Sequence, residues 1–260
     1  MSTTPLTILL VGGTGSIGRH VTTAATRAGH RVRILSRIPG DASTPGADAV
    51  TGDLTDPSTL GPAVDGIDAV IFTHGTHGGE AGYRDVDYGG VRNVLTAIGS
   101  HPVRVALMTA IGVTVRDGSY NRSSKAHDWK RRGERLVRAS GHPYTIVRPG
   151  WFDYNDADQH QLHFLQGDTR RAGDASDGVI ARSQIADVLV AALTSPAAAG
   201  KTLELVAEHG PAQTDLEPLF AALNPDVELD GPGDKDNQPV ADEPAVVRAE
   251  LEHLTGIATA

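Results

Sequence analysis

The residues best suited to chemistry stand near the start of the chain. Gly12-Gly13-Thr14-Gly15-Ser16-Ile17-Gly18 holds a Gly13-x-Gly15-x-x-Gly18 turn, directly after the apolar run Thr7–Val11 and directly before a helical pattern. Glycines there permit a tight turn and let backbone N–H groups approach a pyrophosphate, which the following helix N-terminus also attracts. Gly12 adds a second glycine register, and Thr14 and Ser16 offer hydroxyls. Sites for NAD place an acid ~20 residues past such a turn to hold the ribose 2′-hydroxyl. This chain has Ser36-Arg37 there. A guanidinium beside a hydroxyl suits a 2′-phosphate that an acid would repel. The predicted cofactor is therefore NADP(H), with Arg19, Arg31 and Arg33 as nearby competitors for the role of Arg37.

Such a turn needs strands and helices to hold it. Apolar runs at Thr7–Val11, Arg31–Leu35, Ala49–Thr51, Asp68–Thr73, Val103–Thr109 and Tyr144–Val147 read as strands. Helical patterns lie between them at Ser16–Ala28, Asp87–Ile98 and His127–Ala139. Alternation with short connections predicts an α/β fold, a doubly wound parallel sheet of Rossmann type. Residues 1–150 form the nucleotide-binding core on this reading, and 151–223 a smaller substrate-covering portion of the same domain. Past Gly150 come a polar stretch (Asp153–Asp177), a helix at Ser183–Leu193, a strand at Thr202–Val206 and a helix at Thr214–Leu223. Residues 224–260 are an acidic tail: Asn224–Pro239 reads as irregular or disordered, and Glu243–Leu254 as a terminal helix with one apolar side.

Bulk composition narrows the function classes. The chain has 260 residues, 39% of them hydrophobic and 4% aromatic, enough for an aliphatic core. Its net charge of −9 speaks against general nucleic-acid binding, and seven of those charges sit in the tail, where nine acids face Lys235 and Arg248. The absence of cysteine excludes disulfides and thiolate chemistry. No apolar run approaches the ~20 residues of a membrane span, and Met1-Ser2-Thr3-Thr4-Pro5 lacks the basic region of a signal peptide. The expectation is a cytoplasmic protein with a small-molecule substrate, no nucleic acid and no membrane. The oligomeric state is not legible.

Several motifs taken jointly resemble the short-chain dehydrogenase/reductase superfamily. They are the glycine turn, Ser36-Arg37, Gly52-Asp53-Leu54 and Thr73-His74-Gly75. The later run Lys130-Arg131-Arg132-Gly133-Glu134, Arg138-Ala139-Ser140-Gly141 and Tyr144-Thr145-Ile146-Val147-Arg148-Pro149-Gly150 is similar to its atypical branch of NAD(P)-binding, NmrA-like proteins. The resemblance covers about residues 5–206. It implies that Asp53 and Leu54 lie against the adenine and that Thr73, His74 and Gly75 pass along the cofactor ribose. Pro149, Gly150, Trp151 and Phe152 would approach the nicotinamide.

The catalytic machinery departs from that pattern. Larger branches use Tyr-x-x-x-Lys, whose members are only ~40° apart around a helix and so face one substrate. The family lysine corresponds to Lys130, where it would hold the nicotinamide ribose, but Ala126 stands four residues earlier. Tyr120 and Lys125 are five apart, ~140° around a helix. Candidates for proton transfer are Tyr120, placed in a loop before the helix, and His127, which titrates in the useful range. Thr109 joins them because the carboxyl end of a strand is the usual place for a site residue in an open sheet.

His160-x-x-His163, with Asp156 and Asp158, has one-turn helical spacing for a metal, but no third ligand stands at a diagnostic distance and no metal is predicted. The basic run Arg122–Arg138 with Trp129 reads as a solvated helix face or a dock for the acidic tail. Trp151, Phe152, Tyr154, His160, His163 and Phe164 read as a pocket wall. The leading function is an NADP(H)-dependent oxidoreductase transferring hydride to or from a small-molecule carbonyl or conjugated alkene. The alternatives are an NADP(H)-sensing regulator without turnover, which the missing tyrosine favours, and an epimerase or dehydratase using the bound cofactor.

Overall fold

In a computed structural model of the chain, residues 4–38 and 46–259 are described; the Met1–Thr3 part of the start discussed above lies outside them. In order, the elements are β1 (Thr7–Val11), α1 (Gly18–Arg27), β2 (Arg31–Ser36), β3 (Ala47–Thr51), α2 (Gly61–Val64), β4 (Ala69–Phe72), α3 (Gly79–Gly82), α4 (Gly89–Ile98), β5 (Arg104–Met108), α5 (Ser119–Ser124), α6 (Ala126–Ala139), β6 (Tyr144–Pro149), β7 (Trp151–Phe152), β8 (Gln161–Leu165), β9 (Val179–Ile180), α7 (Arg182–Thr194), β10 (Lys201–Glu208), α8 (Glu217–Ala221) and α9 (Ala245–Ala258). The sheet order is β3-β2-β1-β4-β5-β6-β10-β9-β7, with β8 also on β10. Every pairing from β3 through β6 to β10 is parallel, as the alternation of strand and helix requires. The fold is the doubly wound Rossmann sheet that the sequence predicts.

The central strands are buried on both faces. Ile8 and Leu10 point into one apolar cluster with α1 and α7, Leu9 and Val11 into the other with α4 and α6. Two features escape sequence reading. The polar stretch Asp153–Asp177 contains β8, which pairs antiparallel with β10 and turns Leu162 and Phe164 inward. The helix through Val91 begins earlier than Asp87: α3 passes through a π-helical stretch, Tyr83–Tyr88, into α4. A wide turn of this kind reorients side chains and recurs at functional sites. Among the described residues no helix is long and apolar enough to cross a membrane.

The acidic tail is ordered and docked. Helix α6 carries Arg131, Arg132, Arg135 and Arg138, and all four are buried. Asp230 binds Arg131 (3.1 Å) and Arg135 (2.9 Å). Glu243 binds Arg132 (2.7 Å) and Arg135 (3.1 Å), and Asp226 binds Arg138 (2.8 Å). Of the two readings of the basic run, the dock is the one found. Helix α9 completes it by placing Val247, Leu251 and Leu254 in the same core cluster as the apolar side of α6.

At the centre lies Arg148 on β6, 0% exposed. Its guanidinium meets Glu134 (2.6 Å), Asp234 (2.7 Å) and Glu204 (3.2 Å). Removing one partner of such a group leaves buried charge uncompensated, at a cost of about 3–5 kcal/mol. Arg148→Met is expected to lower the unfolding free energy by about that amount in urea titrations. Burial pushes the Glu204 carboxyl up to about 7 despite the neighbouring Arg148. A carboxyl that holds its proton more tightly folded than unfolded loses stability as pH rises. That loss falls between its ordinary 4.5 and about 7. Glu204→Gln should therefore remove a downward slope of stability across that window, measured by urea unfolding at stepped pH.

Candidate active site

The loops after β1, β4, β5 and β6 lie along one edge of the sheet. Gly12 has φ +89°, and a Cβ there would lie 2.6 Å from the His74 backbone nitrogen, so the first turn packs directly on Thr73-His74. The Thr73 hydroxyl donates to the Val11 carbonyl at 3.1 Å. A Cβ on Gly18 would stand 2.2 Å from the Gly12 oxygen. Gly13 and Gly18 are buried, while Thr14, Gly15 and Ser16 are exposed. Helix α1 begins without a cap: Ile17 supplies no side-chain bond, and the first turn holds no acid. Among the described residues the N–H groups of Thr14, Ser16 and Ile17 have no protein acceptor. Open backbone donors where an exposed turn enters a helix N-terminus fit a pyrophosphate.

Past the turn, at the carboxyl ends of β2 and β3, stand the residues predicted for the adenosine half. The Asp53 carboxylate accepts from the N–H and hydroxyl of Thr55 (both 2.8 Å), which lower its pKa, and Arg37 nearby adds to the effect. Leu54 is fixed by its carbonyl, which accepts from Asn93 at 2.6 Å. Ser36 is buried, with its hydroxyl accepting from the Ile38 N–H. Arg37 is exposed and, among the described residues, has no hydrogen-bond partner. Its competitors differ. Arg33 donates to the Ala63 (3.0 Å) and Asp65 (2.6 Å) carbonyls, and Arg19 to the Thr14 carbonyl (3.2 Å). Arg31 is exposed at the opposite, amino end of β2.

A polar cluster occupies the other end. Tyr120 lies on α5 rather than in a loop, half exposed, and shares a 2.8 Å hydrogen bond with the Tyr83 hydroxyl. Lys125 breaks the helix with φ 57°, so Tyr120 sits on a separate turn from His127, and their rings meet edge to face at 5.3 Å. Burial lowers the His127 pKa, and the imidazole Nδ1 stands 3.3 Å from the Val115 carbonyl. Burial raises the Tyr83 pKa, and its bond to Tyr120 adds to the rise. One turn along α6 from His127, the Lys130 ammonium donates to Asp87 at 2.5 Å. The other Asp87 oxygen accepts from the Thr76 N–H at 3.1 Å, and a Cβ on Gly75 would lie 4.0 Å from the lysine nitrogen. Lys130 is thus brought to the loop after β4.

Not every predicted residue joins this cluster. The Thr109 hydroxyl donates to Glu134 at 2.7 Å and the residue is 6% exposed, so its proton is committed to the buried network around Arg148. His74 is held by the Val86 carbonyl (3.1 Å), and burial lowers its pKa. Gly150 needs its missing side chain, because a Cβ would lie 2.5 Å from the Gly178 oxygen. Trp151 is 39% exposed and stacks edge-on with exposed Tyr154, while Phe152 lies under the Arg182 guanidinium. Of the remaining pocket-wall residues, Phe164 packs on Phe220 at 5.0 Å and belongs to the core. His163 lies on strand β8 with His160 just before it, so helical spacing does not apply, and Asp158 is paired with His209 instead. Among the described residues no group of three metal-ligating side chains converges.

Tyr83 and Asp87 are absent from the predicted set. Both lie in the π-helical stretch, whose wide turn cannot be read from spacing. The one signal is Asp87 itself, a carboxylate opening the stripe Val91, Val94, Leu95 and Ile98.

Comparison with known proteins gives the family. Residues 12–196 match the family described as NAD(P)H-binding, and the chain belongs to that family. Its likeness to atypical short-chain dehydrogenase/reductases thus holds, and the expected cofactor class is a nicotinamide dinucleotide. Sanguinarine reductase of Eschscholzia californica is 26% identical over 85% of this chain and 97% of its own length. A protein of Bacillus subtilis named an uncharacterized sugar epimerase is 26% identical over 82% of this chain and 99% of its own. A short-chain dehydrogenase/reductase of Veillonella parvula solved with NADP superposes with a TM-score of 0.59 at 16% identity, covering 82% of this chain and all of its own.

The Gly18→Ala variant tests the turn. Its Cβ has no space beside the Gly12 oxygen, so affinity for the nicotinamide dinucleotide, NADH or NADPH, should fall by at least about tenfold, equivalent to ~1.4 kcal/mol. Fluorescence titration with each reduced dinucleotide reads the change.

Proposed function

We propose that the protein is an NADP(H)-dependent reductase acting on a small-molecule carbonyl or conjugated alkene. The observation that carries this reading is the half-exposed Tyr120 hydroxyl, hydrogen-bonded to buried Tyr83 and set beside His127. A phenol there supplies the proton donor that Ala126 cannot. When bound, the nicotinamide supplies a hydride to the electrophilic carbon. Tyr120 gives its proton to the oxygen that gains charge, so the substrate takes up one hydride and one proton. The Tyr83 hydroxyl then donates to the phenolate left on Tyr120 and lowers the cost of forming it. Lys130, held by Asp87 next to Gly75, orients the ribose. Arg37 and the neighbouring Ser36 receive the 2′-phosphate, a role supported by the engagement of Arg33 and Arg19 elsewhere.

Two measurements test the assignment. Arg37→Ala should weaken NADPH binding about tenfold and leave NADH binding unchanged. Equal affinity of the unaltered protein for the two cofactors would sink the role of Arg37. NADPH oxidation should be followed against aldehydes, ketones, quinones and enones. Tyr120→Phe is expected to lower kcat on any substrate found by ~10²-fold or more, with NADPH affinity unchanged. Tight NADPH binding with no turnover on any of them would instead support the regulator.

A further inference from the structure

The loop between β5 and α5 is held by two residues from outside the nucleotide-binding half, and one belongs to the acidic tail. From below, the fully buried Asp168 carboxylate accepts from the Gly112 N–H (2.6 Å), the Thr114 N–H (2.7 Å) and the Thr114 hydroxyl (2.7 Å). From the tail, the Asn237 side-chain amide donates to the Thr114 carbonyl at 3.0 Å, and its side-chain oxygen accepts from Arg131 on α6 at 2.7 Å. The Asn237 backbone carbonyl accepts from Arg116 at 2.7 Å. Arg116 in turn grips Asp128 through two bonds, at 3.0 and 3.2 Å.

The chain of contacts ends on the two proton-transfer candidates. Asp128 also accepts from the Asn121 amide at 2.9 Å, and Asn121 is the chain neighbour of Tyr120. The Asn121 oxygen accepts from the N–H groups of His127 (3.0 Å) and Asp128 (3.2 Å), capping α6 where Lys125 offers no side-chain cap. His127 also stands against the Val115 carbonyl in the same loop. Helix α5 has only six residues and would be marginal by itself. Its position is therefore set by these bonds. The family match ends at residue 196, so Asn237 lies outside the matched segment.

We propose that Asn237 is a positioning residue: by joining Arg131 of α6 to Thr114 and Arg116 of the loop, the tail fixes Tyr120 and His127 in the site. The site is incomplete without the tail. This rests on the reading of Tyr120 as the proton donor, and the experiment has one arm independent of that reading. Hydrogen–deuterium exchange on the full-length protein reads the segment 112–124. Asn237→Ala and Arg116→Met should each raise exchange there at least about tenfold, with the glycine turn and its protection by NADPH unchanged. Asp236→Ala, an exposed neighbour, should change nothing. In the second arm, with phenanthrenequinone as the probe and NADPH as reductant, Asn237→Ala should lower kcat about tenfold and leave the KM for NADPH unchanged. A merely stabilising contact would lower the melting temperature without that split. Unaltered exchange over 112–124 in both variants overturns the proposal. Raised exchange with no quinone turnover even in the unaltered protein leaves the positioning intact and counts against the reductase reading alone.

Discussion

Complete burial of the Arg148 guanidinium is the constraint on which the rest of the structure depends. A charge with no water must be matched by nearby opposite charge and by hydrogen bonds on all its donors. Three carboxylates answer that demand, from α6 (Glu134), β10 (Glu204) and the tail (Asp234). Glu134 is shared with Arg138, which also takes Asp226 and the Thr202 hydroxyl. Two arginines thus face four carboxylates. Part of that excess is relieved at Glu204, whose raised pKa keeps it partly protonated near neutrality. The arrangement ties central strand, long helix, last strand and tail into one unit, because no member can leave without stranding another.

The site hangs from this unit. Glu134 takes the Thr109 hydroxyl at the end of β5, and Glu204 accepts the Asp168 N–H, whose carboxylate holds Gly112 and Thr114. The loop that leads to Tyr120 is therefore fixed by buried electrostatics on one side and by Asn237 on the other. The glycine turn is held differently, by close contact of backbone on backbone at Gly12 and Gly18 and by the Ile34 side chain against Gly13, which leaves the N–H groups of Thr14, Ser16 and Ile17 open among the described residues. One half of the edge is shaped by the absence of side chains and suits a rigid anion. The other is shaped by titratable side chains and suits proton transfer.

How much of this is legible in the sequence follows from the range of the interactions involved. The turn at Gly12–Gly18, the strands on either side and the parallel order are local in cause, since glycine freedom, apolar runs and short connections act within a few residues. The separation of Ser36-Arg37 from the turn is likewise set by one βαβ unit. Strand β8 is hidden because Leu162 and Phe164 are interleaved with polar residues, and only pairing with β10 makes that alternation meaningful. The helical spacing of His160 and His163 misleads for the same reason.

Residue types and short spacings alone specify a Rossmann sheet, a glycine turn suited to a dinucleotide, and the absence of a tyrosine at position 126. The groups that surround Tyr120 are set by tertiary packing alone. The Tyr83–Tyr120 pair joins residues 37 apart through a π-helical turn, and the tail partners Asp230 of Arg131 and Asp234 of Arg148 lie 99 and 86 residues away. The acids of the tail and the arginines of α6 are visible as two opposite charge runs. That they bury one another, rather than each facing water, depends on α9 and the core beneath α6 excluding solvent between them. Pairing by burial is a property of the packed chain, and no local spacing encodes it.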